Sequence, residues 1–333
     1  MVQTVPFCDL QRALDPIRSE IEAAIRRTLD SGWFLRGTET SAFEEEWASY
    51  CGQGYAVGCG SGTDALTIAS LALHSRTAAI PANTLPLTAI GLSRGGSDVR
   101  LLDVGGDGRL IEVPPDAVPV LLYGRPPSAS EITSKLFDAA HAHGWKPPRD
   151  AVAAWSFYPT KTLGAFGDAG AVTTNDFGLM TELRDLCGRD DVFRHKQQIT
   201  SRIDEIQAAV LRVKLRHLNE WLQERREIAQ IYEAALEPLG LTVPGNSFYH
   251  LFVIRTSRRD ELLRFLKQCG IETKVHWPHP LHTISGPWAH GARLENAEEW
   301  SQSILSLPCF PGLSRREIEY VCERIGQWVR EYA

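Results

Sequence analysis

The chain has 333 residues, with 35 lysines and arginines against 41 aspartates and glutamates, for a formal net charge of −6. Its hydrophobic (43%) and charged (23%) fractions are those of an ordinary globular protein, which excludes a disordered chain, a fibrous repeat and a polybasic nucleic-acid-binding arm. No apolar run is long enough to predict a transmembrane helix, and the N-terminus lacks the pattern of a signal peptide, so we expect a cytoplasmic protein.

In the first half of the chain, helical segments alternate with short apolar runs. Helices are predicted over residues 17–29, from the capping-box spacing at Ser41 onward, and over residues 63–73. Strands are predicted over residues 55–58, 78–80, 99–102, 118–122, 135–137, 152–157 and 169–173. This alternation predicts an α/β domain with a largely parallel sheet.

The composition changes after about residue 200. A second capping-box-like start at Ser201 leads into a long helix that reaches about residue 239 and has one charged and one apolar face. After a turn at 244–246, the pattern predicts a strand over 249–254, helices over 260–269, 296–305 and 314–330, and a loop rich in proline and histidine over 276–287. We therefore expect a large α/β domain over residues 1–240 and a smaller α+β domain over residues 241–333.

A glycine-rich turn, Gly58-Cys59-Gly60-Ser61-Gly62-Thr63-Asp64, separates a predicted strand from a predicted helix. Such a turn lets backbone N–H groups approach an anion at the N-terminus of the helix. The spacing matches neither a Walker sequence nor a dinucleotide fingerprint. A plain tight turn explains this segment equally well when it is taken alone.

Two further segments place a reactive side chain directly after a strand. Asp138 ends an apolar run and precedes His141 and His143, and ligands of parallel sheets bind beyond the carboxyl ends of strands. Lys161 follows another apolar run among uncharged residues, where desolvation lowers the pKa of an amine and lets it form a Schiff base. Taken singly, a helix-capping aspartate and a solvated surface lysine are equally good interpretations. Two histidines two residues apart do not share a helix face, so no metal site is predicted.

Together these three features form one constellation. A helix N-terminus would hold a phosphate, a carboxylate would keep a pyridine nitrogen protonated, and a lysine would carry an aldehyde as an imine. These are the groups that bind pyridoxal 5′-phosphate (PLP), so the sequence predicts a PLP-dependent protein.

Over nearly its whole length, the chain resembles the DegT/DnrJ/EryC1/StrS family of PLP-dependent sugar aminotransferases, which have the aspartate aminotransferase type of fold (fold type I). The motifs that carry the resemblance are Phe43-Glu44-Glu45-Glu46-Trp47, Gly60-Ser61-Gly62-Thr63-Asp64-Ala65-Leu66, Pro81-Ala82-Asn83-Thr84, Asp138-Ala139-Ala140, Ser156-Phe157-Tyr158-Pro159-Thr160-Lys161, Gly167-Asp168-Ala169-Gly170-Ala171-Val172, Ser201-Arg202-Ile203-Asp204-Glu205-Ile206-Gln207-Ala208-Ala209 and Leu305-Ser306-Leu307-Pro308.

The resemblance implies a role for each residue of the cofactor site. Lys161 is implied as the lysine that forms the Schiff base and then transfers protons, and Asp138 as the partner of the ring nitrogen. Gly62, Thr63 and Ser156 are implied as the phosphate cradle.

The resemblance also implies a homodimer with active sites shared at the interface. The segment containing Thr200 and Arg202 resembles one that reaches the cofactor phosphate of the neighbouring subunit. The stretch Gly270 to His282 resembles the family's loop near the sugar site, and Arg202, Tyr158 and His276 are assigned to substrate binding. Prolines separate the three histidines of residues 276–282, which hinders their convergence on a metal, and a purely structural loop is an equally good interpretation for His276.

Three positions depart from the family pattern. His141 stands where the family usually has a glutamine that touches the ring oxygen of the cofactor, Thr200 replaces an asparagine, and Leu85 replaces an aromatic residue that often stacks on the cofactor. All three are still assigned to cofactor binding, with aliphatic packing by Leu85 in place of stacking.

The implied reaction is transamination from an amino acid, L-glutamate by preference, to a nucleotide-linked keto-6-deoxyhexose. The strings at 201–209 and 211–215 are most similar to members that aminate C3, which favours a dTDP-3-keto-6-deoxyhexose. The basic residues Arg194, His195, Lys196 and Arg202 are candidates for contact with its diphosphate. Neither a nucleic acid nor a membrane is expected as a partner.

Three alternatives stay open at this point. The chain could act at C4 of the sugar, or as a PLP-dependent sugar dehydratase, although the 3-dehydratases of the family carry histidine where Lys161 stands. It could also be a non-catalytic PLP-binding regulatory protein, an alternative that His141, Thr200 and Leu85 keep open.

Overall fold

The structure, a computed structural model, describes residues 4–188, 198–288 and 293–332. Arg194, His195 and Lys196 of the predicted basic cluster lie outside the described residues. The helices are α1 (Leu10–Leu14), α2 (Arg18–Ser31), α3 (Thr38–Cys51), α4 (Gly62–Ala72), α5 (Pro86–Arg94), α6 (Phe177–Leu186), α7 (Glu205–Leu236), α8 (Arg259–Gln268), α9 (Glu295–Ser303) and α10 (Arg315–Tyr332). The strands are β1 (Tyr55–Cys59), β2 (Thr77–Pro81), β3 (Asp98–Leu102), β4 (Leu136–Asp138), β5 (Val152–Ser156), β6 (Gly170–Thr174), β7 (Phe252–Arg255) and β8 (Ile304–Leu307).

The larger part of the chain is built around sheets that contain both parallel and antiparallel strand pairs. One four-stranded sheet has the order β1-β6-β5-β4, and β2 pairs with β3 in parallel. Parallel bridges from Ala79 to Ala117 and from Val120 to Asp138 connect these two sheets through residues 117–120. Strand β6 runs antiparallel to both of its neighbours. The predicted α/β architecture is therefore confirmed.

Helices cover both faces of this sheet. The middle strand β5 is buried on both sides: Val152 and Ala154 face a core that contains residues of α4, α5 and α6, whereas Ala153 and Trp155 face a core that contains residues of α3 and α7. A strand that is buried on both faces consists of a continuous run of apolar residues, which is why such strands could be predicted from the sequence.

The C-terminal part is an α+β arrangement, as predicted. Strand β7 pairs antiparallel with β8, and helices α8 and α10 supply a separate apolar cluster that also contains the end of α7. Val5 near the N-terminus belongs to the same cluster and pairs with Ile271. The domain boundary at residue 240 stays a prediction.

Several predicted element boundaries are wrong for physical reasons. Helix α3 begins at Thr38 instead of Ser41, because a carboxylate distant in sequence caps it. The cap of α7 is Asp204 rather than Ser201; its side chain accepts a hydrogen bond from the Gln207 N–H. The predicted helix 296–305 ends at Ser303, because the next residues pair with β7.

Two predicted strands also differ from the structure. Residues 118–122 make isolated bridges and then a short 3₁₀ turn instead of a regular strand. The strand predicted to start at Tyr249 starts at Phe252, because Tyr249 has a positive φ of 41° that a strand does not tolerate. Over the described ranges, no helix is both long and apolar enough to cross a membrane.

Candidate active site

A large cavity lies where the carboxyl ends of parallel strands meet. It has a volume of about 490 Å³. Asp138 ends β4 and Ser156 ends β5, and both contribute to its wall. Of the residues that the sequence assigned to the site, the wall contains Gly62, Thr63, Leu85, Asp138, His141, Ser156, Tyr158, Lys161 and His276. Thr200 and Arg202 are the two that do not line it.

The glycine-rich turn presents the N-terminus of α4 to this cavity. Ser61 caps the helix by accepting a hydrogen bond from the Asp64 N–H at 3.1 Å, so the first helical residues are Gly62 and Thr63. A Cβ on Gly62 would lie 2.6 Å from the Ser156 Cβ, so only glycine allows this close approach of turn and strand. Free N–H groups at a helix N-terminus bind anions, as a phosphate cradle requires.

The segment that contains Thr200 and Arg202 packs on the outer side of the same turn. Ser201 Oγ accepts a hydrogen bond from the Gly60 N–H at 2.9 Å and donates one to Asp64 Oδ2 at 2.7 Å. Thr200 is exposed to solvent. Neither Thr200 nor Arg202 therefore meets the cavity of its own chain, although Ser201 ties both to the cradle.

Asp138 is a buried carboxylate held by two donors. Thr88 Oγ1 donates to Oδ2 at 2.7 Å, and the Ala140 N–H donates to Oδ1 at 3.1 Å. Burial raises the pKa of Asp138, while these two hydrogen bonds and the positive charge of Lys161 oppose the rise. These three groups thus favour the ionised carboxylate against the effect of burial.

Lys161 faces Asp138 across the cavity. Desolvation lowers the pKa of its amine to about 8, and the nearby Asp138 carboxylate limits that fall. An amine with this pKa is largely uncharged in mildly alkaline solution, which makes it both a nucleophile toward aldehydes and a base.

Three imidazoles in the cavity wall are neutral. Burial lowers the pKa of His141 and of His250 well below 6.5, and lowers that of His276 to about 4. His141 Nδ1 accepts a hydrogen bond from the Tyr123 N–H at 3.2 Å, and its ring centroid lies 4.4 Å from that of His250. His276 Nδ1 lies 2.8 Å from Ser306 Oγ. These rings can hydrogen-bond a ligand without adding charge.

The structure also brings in side chains that were not identified from the sequence. These are Thr88, Arg225, His250 and Lys274, all of which line the cavity. Arg225 had a detectable signal, because it interrupts the apolar stripe of α7 between Trp221 and Ile228. Thr88 and His250 belong to no motif, and Lys274 lies within the stretch 270–282 but was not singled out there.

This set of residues fits the cofactor that the sequence predicts. The cradle at Gly62 supplies donors for a phosphate, Asp138 supplies a buried acceptor for a protonated ring nitrogen, and Lys161 supplies the amine for an imine. All three surround one cavity of a size that suits a small cofactor together with part of a substrate.

Comparison with known proteins gives a consistent result. The family model described as the DegT/DnrJ/EryC1/StrS aminotransferase family matches residues 15–115 and 133–326. The chain is 38% identical to the erythromycin biosynthesis sensory transduction protein EryC1 of Saccharopolyspora erythraea, over 95% of this chain and 97% of that protein. It is 37% identical to the dTDP-3-amino-3,4,6-trideoxy-alpha-D-glucose transaminase of Streptomyces venezuelae, over 97% of this chain and 96% of that one.

A solved structure agrees with these relatives. The crystal structure of DesV from S. venezuelae, in complex with a ketimine intermediate, superposes with a TM-score of 0.89 at 35% sequence identity, over 98% of both chains.

Proposed function

The chain belongs to the DegT/DnrJ/EryC1/StrS aminotransferase family, and on that premise we propose that it transfers the amino group of L-glutamate to C3 of a dTDP-linked 3-keto-6-deoxyhexose. It is a sugar aminotransferase of PLP fold type I, with pyridoxal 5′-phosphate as its cofactor. The observation that carries the proposal is the pairing of Lys161 with Asp138 at a cavity whose wall includes a phosphate cradle.

The chain's own residues would hold the cofactor by three contacts. The N–H groups at Gly62 and Thr63, with the Ser156 hydroxyl, would bind its phosphate. Asp138 would accept a hydrogen bond from the protonated ring nitrogen, and the donors from Thr88 and Ala140 would keep that carboxylate ionised. Leu85 and His141 would pack against the ring from the cavity wall.

Lys161 is proposed to transfer the proton in each half of the reaction. When bound, the cofactor supplies an electron sink for the pair of electrons released as a Cα–H bond breaks. The uncharged Lys161 amine would take that proton at Nζ and return it to a neighbouring carbon. Arginine could not replace it, since a guanidinium stays protonated in proteins.

The proposed activity is tested by the absorbance spectrum of the protein with PLP, recorded before and after the addition of glutamate. We expect a visible band in the wild type that glutamate abolishes, with release of 2-oxoglutarate. Lys161→Ala should form no such band, whereas Lys135→Ala, at an exposed lysine outside the cavity, should behave as the wild type. A protein that takes up no PLP would refute the proposal.

That experiment also addresses the regulatory alternative. A PLP-binding sensor would show the band but release no 2-oxoglutarate when glutamate is added. The placement of Lys161 and Asp138 beside each other favours the enzyme.

The position of amination is proposed from the relatives. The Streptomyces venezuelae relative is named for an amino group at C3 of a dTDP-sugar, and the strings at 201–209 and 211–215 agree with that class. After conversion to the aminated cofactor form, the protein should be returned to the starting form by a 3-keto sugar nucleotide. Faster return with a 4-keto isomer would assign the enzyme to C4.

A homodimer with shared active sites is also part of the proposal. The consecutive side chains Trp33, Phe34 and Leu35 are 61%, 47% and 40% exposed. They lie beside the segment of Thr200 and Arg202, since Leu35 pairs with Asp204. One continuous surface therefore combines exposed apolar side chains with two polar ones that do not reach their own cavity, as expected where a second copy docks.

We place the enzyme in the cytoplasm. No disulfide joins any of the seven cysteines, all of which lie in the described part of the chain, and this suits a reducing compartment.

A further inference from the structure

More positively charged side chains line the cavity than the proposed cofactor contacts use. Three cationic side chains line it, Lys161, Arg225 and Lys274, against the carboxylates of Asp138 and Asp168. The charge of Asp138 acts on Lys161, whose pKa it raises against the effect of burial, and Asp168 is exposed to solvent. Arg225 and Lys274 have no role in the cofactor contacts or the proton transfer.

Arg225 is a buried guanidinium with no acid beside it. It is only 5% exposed, and no carboxylate of the described residues forms a salt bridge with it. Its Nη1 donates to the carbonyl oxygens of Tyr249 and His250 at 3.1 Å each and to that of Cys309. Its Nε is buried without an acceptor among the described residues, and no hydrogen bond there engages Nη2. A buried charge with unused donors is costly unless an anion joins it.

Lys274 lies in the same region of the wall. Its ammonium stacks 5.1 Å from the centroid of the Phe7 ring, and within the described ranges it forms no salt bridge. Burial raises the pKa of the Cys8 thiol, while the positive charges of Arg225 and Lys274 both oppose that rise, so the two cations flank the same side chain. Trp277, also in this wall, has a buried indole N–H without an acceptor in the described part of the chain.

We propose that Arg225 and Lys274 form a carboxylate-binding subsite, which holds the amino-acid donor and its keto-acid product beside Lys161. This inference rests on the proposed function and names a substrate contact within it. The planar fork of a guanidinium matches a carboxylate, and Lys274 at the more exposed edge would add a second charge.

Depth in the cavity favours a carboxylate over the diphosphate of the sugar nucleotide. Arg225 Nη1 donates to the His250 carbonyl oxygen at 3.1 Å, and the His250 ring centroid lies 4.4 Å from that of His141, which is assigned to the cofactor. An anion at Arg225 would therefore lie on the cofactor side of the cavity. In the proposed sugar nucleotide, the diphosphate is farther away, because the hexose ring separates it from the reacting carbon C3.

Glutarate, a dicarboxylate that has no amino group to react, is the probe for this subsite. Its binding would be measured by calorimetry on the protein with and without PLP, beside a titration with thymidine diphosphate. We expect Lys274→Met to weaken glutarate binding roughly tenfold and Arg225→Lys, which keeps the charge but loses the fork, by about as much. Thymidine diphosphate should bind both variants as it binds the wild type.

The control is Lys267→Met, which removes the same charge from the exposed face of α8 and should leave both titrations unchanged.

If Arg225→Lys does not fold, Lys274→Met decides alone, because that side chain is exposed. Unchanged glutarate affinity in the variants would overturn the subsite, as would a loss confined to thymidine diphosphate. Failure to take up PLP would instead refute the proposed function, and the titrations without PLP would still test the subsite.

Discussion

Burial at the end of β4 raises the pKa of the Asp138 carboxyl, and its neighbours oppose that rise. The Thr88 hydroxyl and the Ala140 N–H both donate to it, and the Lys161 charge adds to their effect. The residue that we assign to the ring nitrogen thus depends on a threonine from α5, which no motif of the sequence contains.

Removal of the Thr88 donor should therefore impair catalysis without emptying the site. In Thr88→Val the pKa of Asp138 rises, so the ionised form is lost at a higher pH and the acid limb of the kcat profile should move upward. We expect kcat near neutral pH to fall roughly tenfold, the equivalent of one charge-assisted hydrogen bond. Thr88→Ser retains a hydroxyl and should restore the wild-type profile. An unchanged acid limb in Thr88→Val would contradict this role.

The pH dependence of cofactor uptake reports on Lys161. Because its pKa is lowered to about 8, the uncharged amine should accumulate around that pH rather than around 10.5. The rate at which cofactor-free protein forms the visible band with PLP should rise with pH and level off above about 8. In Asp138→Asn the midpoint should fall further, since the carboxylate is what raises this pKa. A midpoint near 10 would show that the lysine is solvated.

Among the individual site residues, those that belong to recognisable motifs could be predicted from the sequence, and several others could not. Lys161, Asp138 and Gly62 lie at the ends of strands within recognisable strings, so the order of residues along the chain was enough to assign them. Lys274 lies in the stretch 270–282, but its neighbours in the sequence did not single it out, and its segment is held at the cavity by pairing with Ser306 of β8. The residues around Lys274 in the sequence do not indicate which distant strand they pair with.

Among the elements, the N-terminus of helix α3 is capped by a residue of helix α7. Glu205 is 2% exposed, and its carboxylate accepts hydrogen bonds from the N–H groups of Gly37 (2.9 Å), Glu39 (2.8 Å) and Thr40 (3.1 Å). A Cβ at position 37 would lie 2.7 Å from Glu205 Oε2, so a side chain there would displace the capping carboxylate. The first turn of α3 is thus capped across 165 or more residues of sequence.

Glu205→Gln should lower the free energy of unfolding by about 1–3 kcal/mol, since the charge that suits a helix N-terminus is lost and one amide N–H faces a donor. Urea denaturation followed by circular dichroism would measure it. Glu227→Ala, at an exposed position on the same helix, should change stability by no more than about 0.5 kcal/mol. Equal stability of the Gln variant and the wild type would mean that the cap contributes nothing.

The same contact explains why element interiors could be predicted and some boundaries could not. Apolar periodicity placed α2, α4 and most strands within a few residues, because burial imposes it along the whole element. The start of α3 was misplaced at Ser41 because its cap comes from Glu205, whereas Ser41 Oγ donates to the Gly37 carbonyl oxygen within the first turn.

For the molecule as a whole, the proposed dimer predicts complementation between two inactive variants. If Arg202 serves the partner's cavity, a heterodimer of Lys161→Ala and Arg202→Ala chains contains one site with both residues intact. Random assembly after co-expression should then restore activity at about a quarter of the sites. If Arg202 served its own cavity, every site would lack one residue, and the mixture would be as inactive as the separate variants. The Lys161→Ala homodimer is the baseline.

The fold class of the whole molecule could be predicted from the sequence, whereas the order of its strands could not. Alternating strands and helices predicted a sheet covered on both faces, but no pattern indicated that β6 would run antiparallel between β1 and β5. Strand β6 thus separates β1, which leads to the cradle at Gly62, from β5, which ends at Ser156, and the two segments meet only beyond the strand ends, where a Cβ on Gly62 would lie 2.6 Å from the Ser156 Cβ.

Helix α7 has 32 residues, about 48 Å, and serves the site at two separated points. Glu205 at its first turn secures α3, and Arg225, twenty positions later, points into the cavity. One residue inserted between them would swing Arg225 about 100° around the helix axis and withdraw it from the cavity, whatever residue was inserted. Point substitutions along the exposed face of α7 should therefore accumulate freely during divergence, while insertions and deletions within this interval are eliminated, so that its length is inherited more strictly than its sequence.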